Sequence, residues 1–506
     1  MIGTSDGVSL KTTDRLPLSA FVRSTDRSVA QLETPLTTDL FGTELRYYAV
    51  VDGRVQVSAS VRALCGLLGR VTLNPIALAE SLAFGLVLRD ETVVREVRSI
   101  PPHSTLHPDG TLAVNEGPRP TIRVTDAVTA VRRMRGILSD IVAELEPRFD
   151  VHCVGYTGGK DSRILAALPK SIPDRWHWLA VSGADDAEQR GSRLHAERLG
   201  LTHYAWMEWT PDFLDGVPGE PAHRVSADLA NGIGAVSDFT LLRNYFERYR
   251  ASVLGRGQND TGVALWIGTL ADALIGGTYL SPPAATIWDA LAPRTASLPR
   301  LLAPGVQEMF ADRGSWYRSD PYSPLSAGSE ERGRLIRLFT RGRSYVCKST
   351  ASLDRVCPTQ INPYLHPALI ELGLETDPRL LADDALRRGV LAELGPGLDE
   401  PSAFGTRAPA YSKQVFHALE GEVRSCTLLE GLVEPALLEA MRAGRFPDLS
   451  VPASATSPAG NTAPVYRSHT SEPQPVIRSL RDYEHLLVYT TMLNLLARDG
   501  VIVSAC

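Results

Sequence analysis

Residues 156–165 read YTGGKDSRIL. An apolar run, Val151 to Tyr156, leads into it, and a helix-like run, Arg163 to Leu168, leads out. Two glycines, an acid and a hydroxyl fill the gap, which marks a strand-to-helix turn. A Gly-rich turn there lets backbone N–H groups come close to a phosphate, and the helix N-terminus adds partial positive charge worth about 0.3–1 kcal/mol toward an anion. The spacing is neither the GxxxxGK[ST] of a P-loop nor the GxGxxG of a dinucleotide fold. Asp161 repels a bare phosphate, so the turn suits one that arrives with a cation, and a magnesium-bound pyrophosphate satisfies both facts.

Downstream of the turn, strand and helix signals alternate: a strand over Trp176 to Val181, a helix over Ala187 to Leu199 and a strand over Thr202 to Trp206. Upstream, TDAVTAVRRMRGILSDIVAELEPRF opens on a Thr-Asp start signal and spaces Val128, Val131, Met134, Ile137, Leu138, Ile141 and Val142 at helical intervals. Such alternation implies an α/β fold, a parallel sheet with helices on both faces that binds ligands outside the carboxyl ends of its strands. Residues Leu45 to Thr111 differ. There YYAVVDG, RVQVSAS, a helical RALCGLLG and a strand-like ETVVREVRSI ending in a PPHS turn follow one another in an α+β pattern. The later part of the chain reads as mostly helical, except residues 449–478, whose Ser, Thr, Pro and Ala predict a mobile loop or lid.

Composition bounds the function. A chain of 506 residues exceeds the roughly 250–300 at which single cores stop growing, so two or more domains are expected. The net charge of −6 and a pI near 6.0, with no basic run interleaved with aromatics, argue against nucleic acid as a partner. The opening MIGTSDGVSLKTTDRL has no apolar signal region, and Leu486 to Ala497 falls short of the ~18 residues a membrane span needs, so a cytoplasmic protein with no membrane partner is expected. Six cysteines, Cys65, Cys153, Cys347, Cys357, Cys426 and Cys506, form no CxxC pair and indicate neither a disulfide framework nor a zinc ribbon.

Four landmarks in order carry a resemblance. TGGKDS resembles the SGGxDS motif of enzymes that split ATP between its α and β phosphates, with Thr157 in place of Ser. WIGTLADALIGGTYL, residues 266–280, resembles the GEGADELFGGY segment of the asparagine synthetase family, and YLHPALIEL resembles its PFLD-type segment. YYAVVDGRVQVSASVRALCGLLG, with LAFGLVLRDETVVREVRSIPPHSTLHPDG, is similar to the second half of that family's glutaminase domain. The resemblance spans about Thr38 to Gly405. It implies a glutaminase-like domain over residues 1–121 with a truncated nucleophile-hydrolase-like fold, and an ATP pyrophosphatase domain over 122–506 with an adenine-nucleotide hydrolase-like sheet and a helical C-terminal part. It also implies ATP and Mg2+ as cofactors. Asp161 and Asp272 match the magnesium acids, Thr157, Gly158, Gly159 and Ser162 the pyrophosphate cradle, and Val181, Ser182, Gly183 and Gly268 the adenosine side.

The departures are as informative. The family's glutaminase uses a cysteine at the start of its mature chain, whereas no cysteine here precedes Cys65 and about 36 residues precede TTDLFGTELRYY. The first domain therefore reads as a scaffold without its nucleophile, as in the β-lactam synthetases and lasso-peptide cyclases, which adenylate a carboxylate and let an amine on the same substrate attack it. Ala273 stands where the family has a second acid, Thr269 where the β-lactam branch has its tyrosine, and Thr359 near the expected glutamate. The family lysine that steadies the acyl-adenylate falls near Ser402 and Ala403, leaving Arg407, Lys413, Lys348 and Lys160 as replacements. Asp354 and His366 are the candidate bases, His366 being equally readable as a packed or capping histidine.

The expected function is thus an AMP-forming carboxylate–amine ligase or cyclase of natural-product biosynthesis that works without glutamine-derived ammonia. Its partners are ATP and a small molecule or peptide bearing a carboxylate and an amine, with room for a pathway partner protein. Lasso-type macrolactam closure, β-lactam-type closure and ligation of an external amine stay open. A non-catalytic partner of another enzyme is the alternative. A tRNA-modifying pyrophosphatase is the third reading, disfavoured by the acidic balance.

Overall fold

A computed structural model describes residues 22–23, 28–39, 42, 45–114, 122–182, 187–208, 240–256, 260–277, 280, 284–291, 298–318, 329–338, 340, 353, 357, 359–400, 412–444 and 474–504. Its centre is a mixed sheet of six strands. Val151–Gly155 is flanked on one side by Trp176–Ser182 and then Tyr204–Glu208, and on the other by Val263–Trp266 and then Gln360–Ile361. These five run parallel, and Val22–Arg23 pairs antiparallel with Gln360–Ile361 at the edge. The inner strands are apolar along most of their length because both faces are covered. Their one buried imidazole is fully partnered. His152 Nε2 lies 3.0 Å from the Glu146 carbonyl oxygen, its Nδ1 accepts from Trp266 Nε1 at 3.0 Å, and burial holds it neutral with a pKa of about 4.

The helix before the first parallel strand, Ala127–Leu145, begins where the sequence predicts. Asp126 caps it, accepting from the Thr129 N–H at 2.8 Å. Val131, Met134, Leu138, Ile141, Val142 and Leu145 are buried, whereas Val128, in the first turn, is 57% exposed and lies outside the stripe. Helices Lys160–Ala167 and Ala187–Arg198 follow the first two parallel strands as expected. The chain then crosses back over the first strand to lay down Val263–Trp266, so the order reverses between Val151–Gly155 and Val263–Trp266. In sheets of this kind the crevice at that reversal is where ligands bind.

In the N-terminal part, Tyr47–Val51 and Arg54–Ser58 form a hairpin whose turn residues Asp52 and Gly53 both have positive φ (50° and 74°), as the twist of a two-residue hairpin requires. ETVVREVRSI, expected as a strand, forms a ladder only at Arg98–Ser99, with one isolated antiparallel bridge from Val94 to Leu73. The Thr92 hydroxyl, bonded to the Val94 and Val97 carbonyl oxygens (2.9 and 2.8 Å), curls the segment, and Val93, Val94 and Val97 are buried by that coil without a ladder. Helices Val61–Leu68 and Pro75–Phe84 share one buried cluster with Pro304–Asp312, Ser412–Ser425 and Gln474–Arg498. The closing strand Ile502–Ser504 runs parallel to Arg70–Thr72. Of the expected loop 449–478, residues 449–473 lie outside the described residues and 474–478 belong to the last helix. Among the described residues, no helix is long and apolar enough to cross a membrane.

Candidate functional site

Three turns converge at the reversal of the sheet, each following the C-terminal end of a parallel strand: 156–162, 267–272 and 362–365. The first holds the Gly-rich loop. Gly158 has φ +71°, and a Cβ there would lie 2.6 Å from Ser192 Cα, so the backbone conformation and the neighbouring helix both demand glycine. Gly159 precedes helix Lys160–Ala167, and its N–H donates to Thr157 Oγ1 at 3.2 Å. Ser162 Oγ donates back to the Gly159 carbonyl oxygen at 3.1 Å. The loop is thereby shaped by its own hydroxyls, while the first-turn amides of a helix have no intrahelical acceptor and favour an anion.

Gly268 and Asp272 come from the second turn. A Cβ on Gly268 would lie 3.2 Å from Asp161 Cβ, which measures how closely the two turns approach. Asp272 is in the first turn of the short helix Ala271–Leu274, entered through Leu270 at φ +67°. From the third turn, Tyr364 donates its hydroxyl to the Asp161 carbonyl oxygen at 2.8 Å. Burial, with Asp272 and Asp384 nearby, raises the Asp161 carboxyl above its ordinary pKa in spite of the opposing Arg387. Arg387 Nη1 donates to Asp161 Oδ1 at 2.7 Å, Arg387 Nη2 pairs with Asp384, and Lys160 Nζ lies 3.0 Å from Asp384 Oδ2.

Among the described residues, no group of three or more His, Cys, Asp or Glu could hold a metal ion by itself. Asp161 and Asp272 supply two carboxylates, the donor set suited to magnesium that arrives bound to phosphates and keeps several waters. The residues present therefore fit a nucleotide-borne magnesium ion and do not form a closed protein cage.

The remaining expected residues divide. Val181 is half-buried at the end of its strand, Ser182 ends that strand, and Gly183 lies outside the described residues. Lys348, Asp354 and Arg407 also lie outside them, and Lys413 is in helix Ser412–Ser425 with only its backbone described. His366 caps helix Pro367–Glu375, its Nδ1 accepting from the Ala368 N–H at 3.2 Å, and burial lowers its pKa. Thr269 meets Asn362, whose Nδ2 donates to the Thr269 carbonyl oxygen at 2.9 Å. Cys65 is fully buried, and burial pushes its thiol up to about 12.

Sequence reasoning missed Arg387. The signal lay in Gly276 and Gly277: a Cβ on Gly276 would lie 2.7 Å from Arg387 Nη2 and Asp384 Oδ1, and one on Gly277 would lie 2.9 Å from the Leu381 carbonyl oxygen. The glycine pair makes room for the turn that carries the arginine. No family model matches the chain, and no curated protein matches it.

Proposed function

We propose that the chain is an ATP-dependent carboxylate–amine ligase that adenylates a substrate carboxylate, releases pyrophosphate and lets an amine displace AMP. The observation that carries this reading is the meeting of the Gly-rich loop 157–162, which holds Asp161, with the turn that holds Asp272 at the reversal of a parallel sheet. The order of the landmarks and their resemblance to the asparagine synthetase family support it, and Cys65, buried and weakly acidic, is not poised as a nucleophile for ammonia release. In this reading the central sheet is of the adenine-nucleotide hydrolase kind, the N-terminal part is a nucleophile-hydrolase-like scaffold, and the protein is cytoplasmic.

Each residue has a limited task. The amides of Gly158, Gly159 and the following helix turn hold the β and γ phosphates, which leaves the α-phosphorus toward the acid. Asp161 and Asp272 hold magnesium, which screens the phosphate charge when bound. Val181 and Gly268 flank the adenosine. The attacking amine must be neutral although its ordinary pKa is about 10, so a base takes its proton. Asp354 is the protein candidate; His366 already uses Nδ1 as a helix cap. Natural-product ring closure, lasso-type or β-lactam-type, and coupling to an external amine remain the substrate classes.

A non-catalytic role is the second reading, favoured by the Arg387–Asp161 ion pair, which gives the acid a partner without a metal. Nucleotide products separate the two. Purified protein turning over ATP with a competent acid should yield AMP and pyrophosphate, while ADP and phosphate, or no turnover with any carboxylate substrate, would count against the ligase.

A further inference from the structure

Arg387 is caged where a metal would be held. Its side chain is 6% exposed, Nη1 is 2.7 Å from Asp161 Oδ1, and Nη2 bonds Asp384. Asp384 is aimed by strain: Asp383 and Asp384 are successive non-glycine residues in the left-handed region, with φ of 50° and 59°. Such residues persist only where their surroundings over-determine them. Here the surroundings are Gly276, which leaves no space for a Cβ beside Arg387 Nη2 and Asp384 Oδ1, and Lys160, 3.0 Å from Asp384 Oδ2. The guanidinium is held from two sides and stays charged at any accessible pH.

Charge then decides what can bind. Asp161, Asp272 and Asp384 are three acids, Arg387 and Lys160 two cations, so the fully ionised cluster carries one net negative charge. A bare divalent ion would reverse that sign beside a guanidinium that cannot withdraw. A divalent ion bound to a triphosphate brings its own excess of negative charge. Arg387 engages only Oδ1 of Asp161, and among the described residues Oδ2 accepts no hydrogen bond.

We infer that Arg387 is a fixed counter-cation that makes metal binding conditional on the nucleotide: the chain takes up magnesium as its ATP complex and rejects the free ion. This rests on the functional reading above. Arg387 is a positioning residue, acting through Asp161.

The test is Mn2+ binding to the full chain, read from the enhancement of water-proton relaxation, which separates protein-bound Mn2+ from Mn2+ on free analogue, without nucleotide and with a non-hydrolysable ATP analogue. Wild type should bind Mn2+ weakly alone and at least ten times more tightly with the analogue. Arg387→Gln should bind Mn2+ alone about tenfold more tightly than wild type, because one nearby positive charge is gone. Arg387→Lys, which keeps the charge, should stay as weak as wild type. Lys160→Gln, at the more exposed cation, should shift affinity in the same direction by less, and it carries the test if Arg387→Gln does not fold. A purely structural arginine would lower or leave unchanged the Mn2+ affinity of Arg387→Gln, and either result overturns the inference while ATP-dependent binding leaves the functional reading standing. Failure of wild type to bind Mn2+ even with the analogue overturns both.

Discussion

Asp161 and Asp272 occupy one site but are embedded differently, so equivalent substitutions separate their roles. Asp272→Asn keeps the shape and, among the described residues, breaks no hydrogen bond; AMP formation should fall at least about a hundredfold with the melting temperature nearly unchanged. Asp161→Asn should abolish turnover too, and it also deprives the buried Arg387 of one of two carboxylates, so a further loss on the order of 1–3 kcal/mol should appear in urea unfolding. Equal stability of the two variants would contradict the buried ion pair. Away from the site, Glu80 is fully buried, accepts from the Leu88 N–H (2.7 Å) and the Tyr317 hydroxyl (2.8 Å), and is pushed by burial from 4.5 to about 7. An acid with a raised folded pKa stabilises the fold fully below its unfolded pKa, and that stability is lost as pH rises through the folded value. From pH 4.5 to about 7 the loss is on the order of 3 kcal/mol. Glu80→Gln should flatten urea midpoints over that window, and an unchanged slope would assign the dependence to another group.

Among the elements, the alternation around YTGGKDSRIL was legible because buried parallel strands are apolar throughout and their helices have a different period. The strand expected at Thr202 to Trp206 is found at Tyr204–Glu208, a slip of two residues at an edge where pairing alone sets the limit. ETVVREVRSI was not legible: its valines are buried, but the Thr92 hydroxyl ties them into a coil that hydropathy cannot distinguish from a strand. Arg387 was hidden for a different reason. A charge on a helix reads as solvated until the turn it packs against is known, and only the glycines at 276 and 277 hinted at the close approach. The Gly-rich loop itself is sharply testable. Gly158→Ala forces a Cβ to 2.6 Å from Ser192 Cα at a φ of +71°, so it should cost about 1–3 kcal/mol and weaken binding of the ATP analogue. Wild-type affinity in that variant would show that the loop does not hold the phosphates.

Across the whole molecule, the last described strand joins the N-terminal part. The strand Ile502–Ser504 pairs with Arg70–Thr72, and the helix Gln474–Arg498 packs into the cluster that buries Val61–Leu68 and Pro75–Phe84. This joining was invisible in the sequence, since a three-residue parallel pairing across more than 400 residues has no local signal. It joins the N-terminal part to the C-terminal helices, as the proposed scaffold role requires. Purified protein should accordingly release no glutamate from glutamine, and detectable hydrolysis would contradict the scaffold reading, because Cys65 is buried with a thiol at about 12.

In the proposed reaction, the loop 157–162 presents the α-phosphorus of ATP to a carboxylate. With a competent substrate carrying oxygen-18 in that carboxylate, one acid oxygen attacks phosphorus and departs with it when the amine closes on the carbonyl carbon. The label should therefore appear in AMP, with unlabelled pyrophosphate. Label in inorganic phosphate, with ADP as the nucleotide product, would mean attack at the γ-phosphorus and would contradict an AMP-forming ligase.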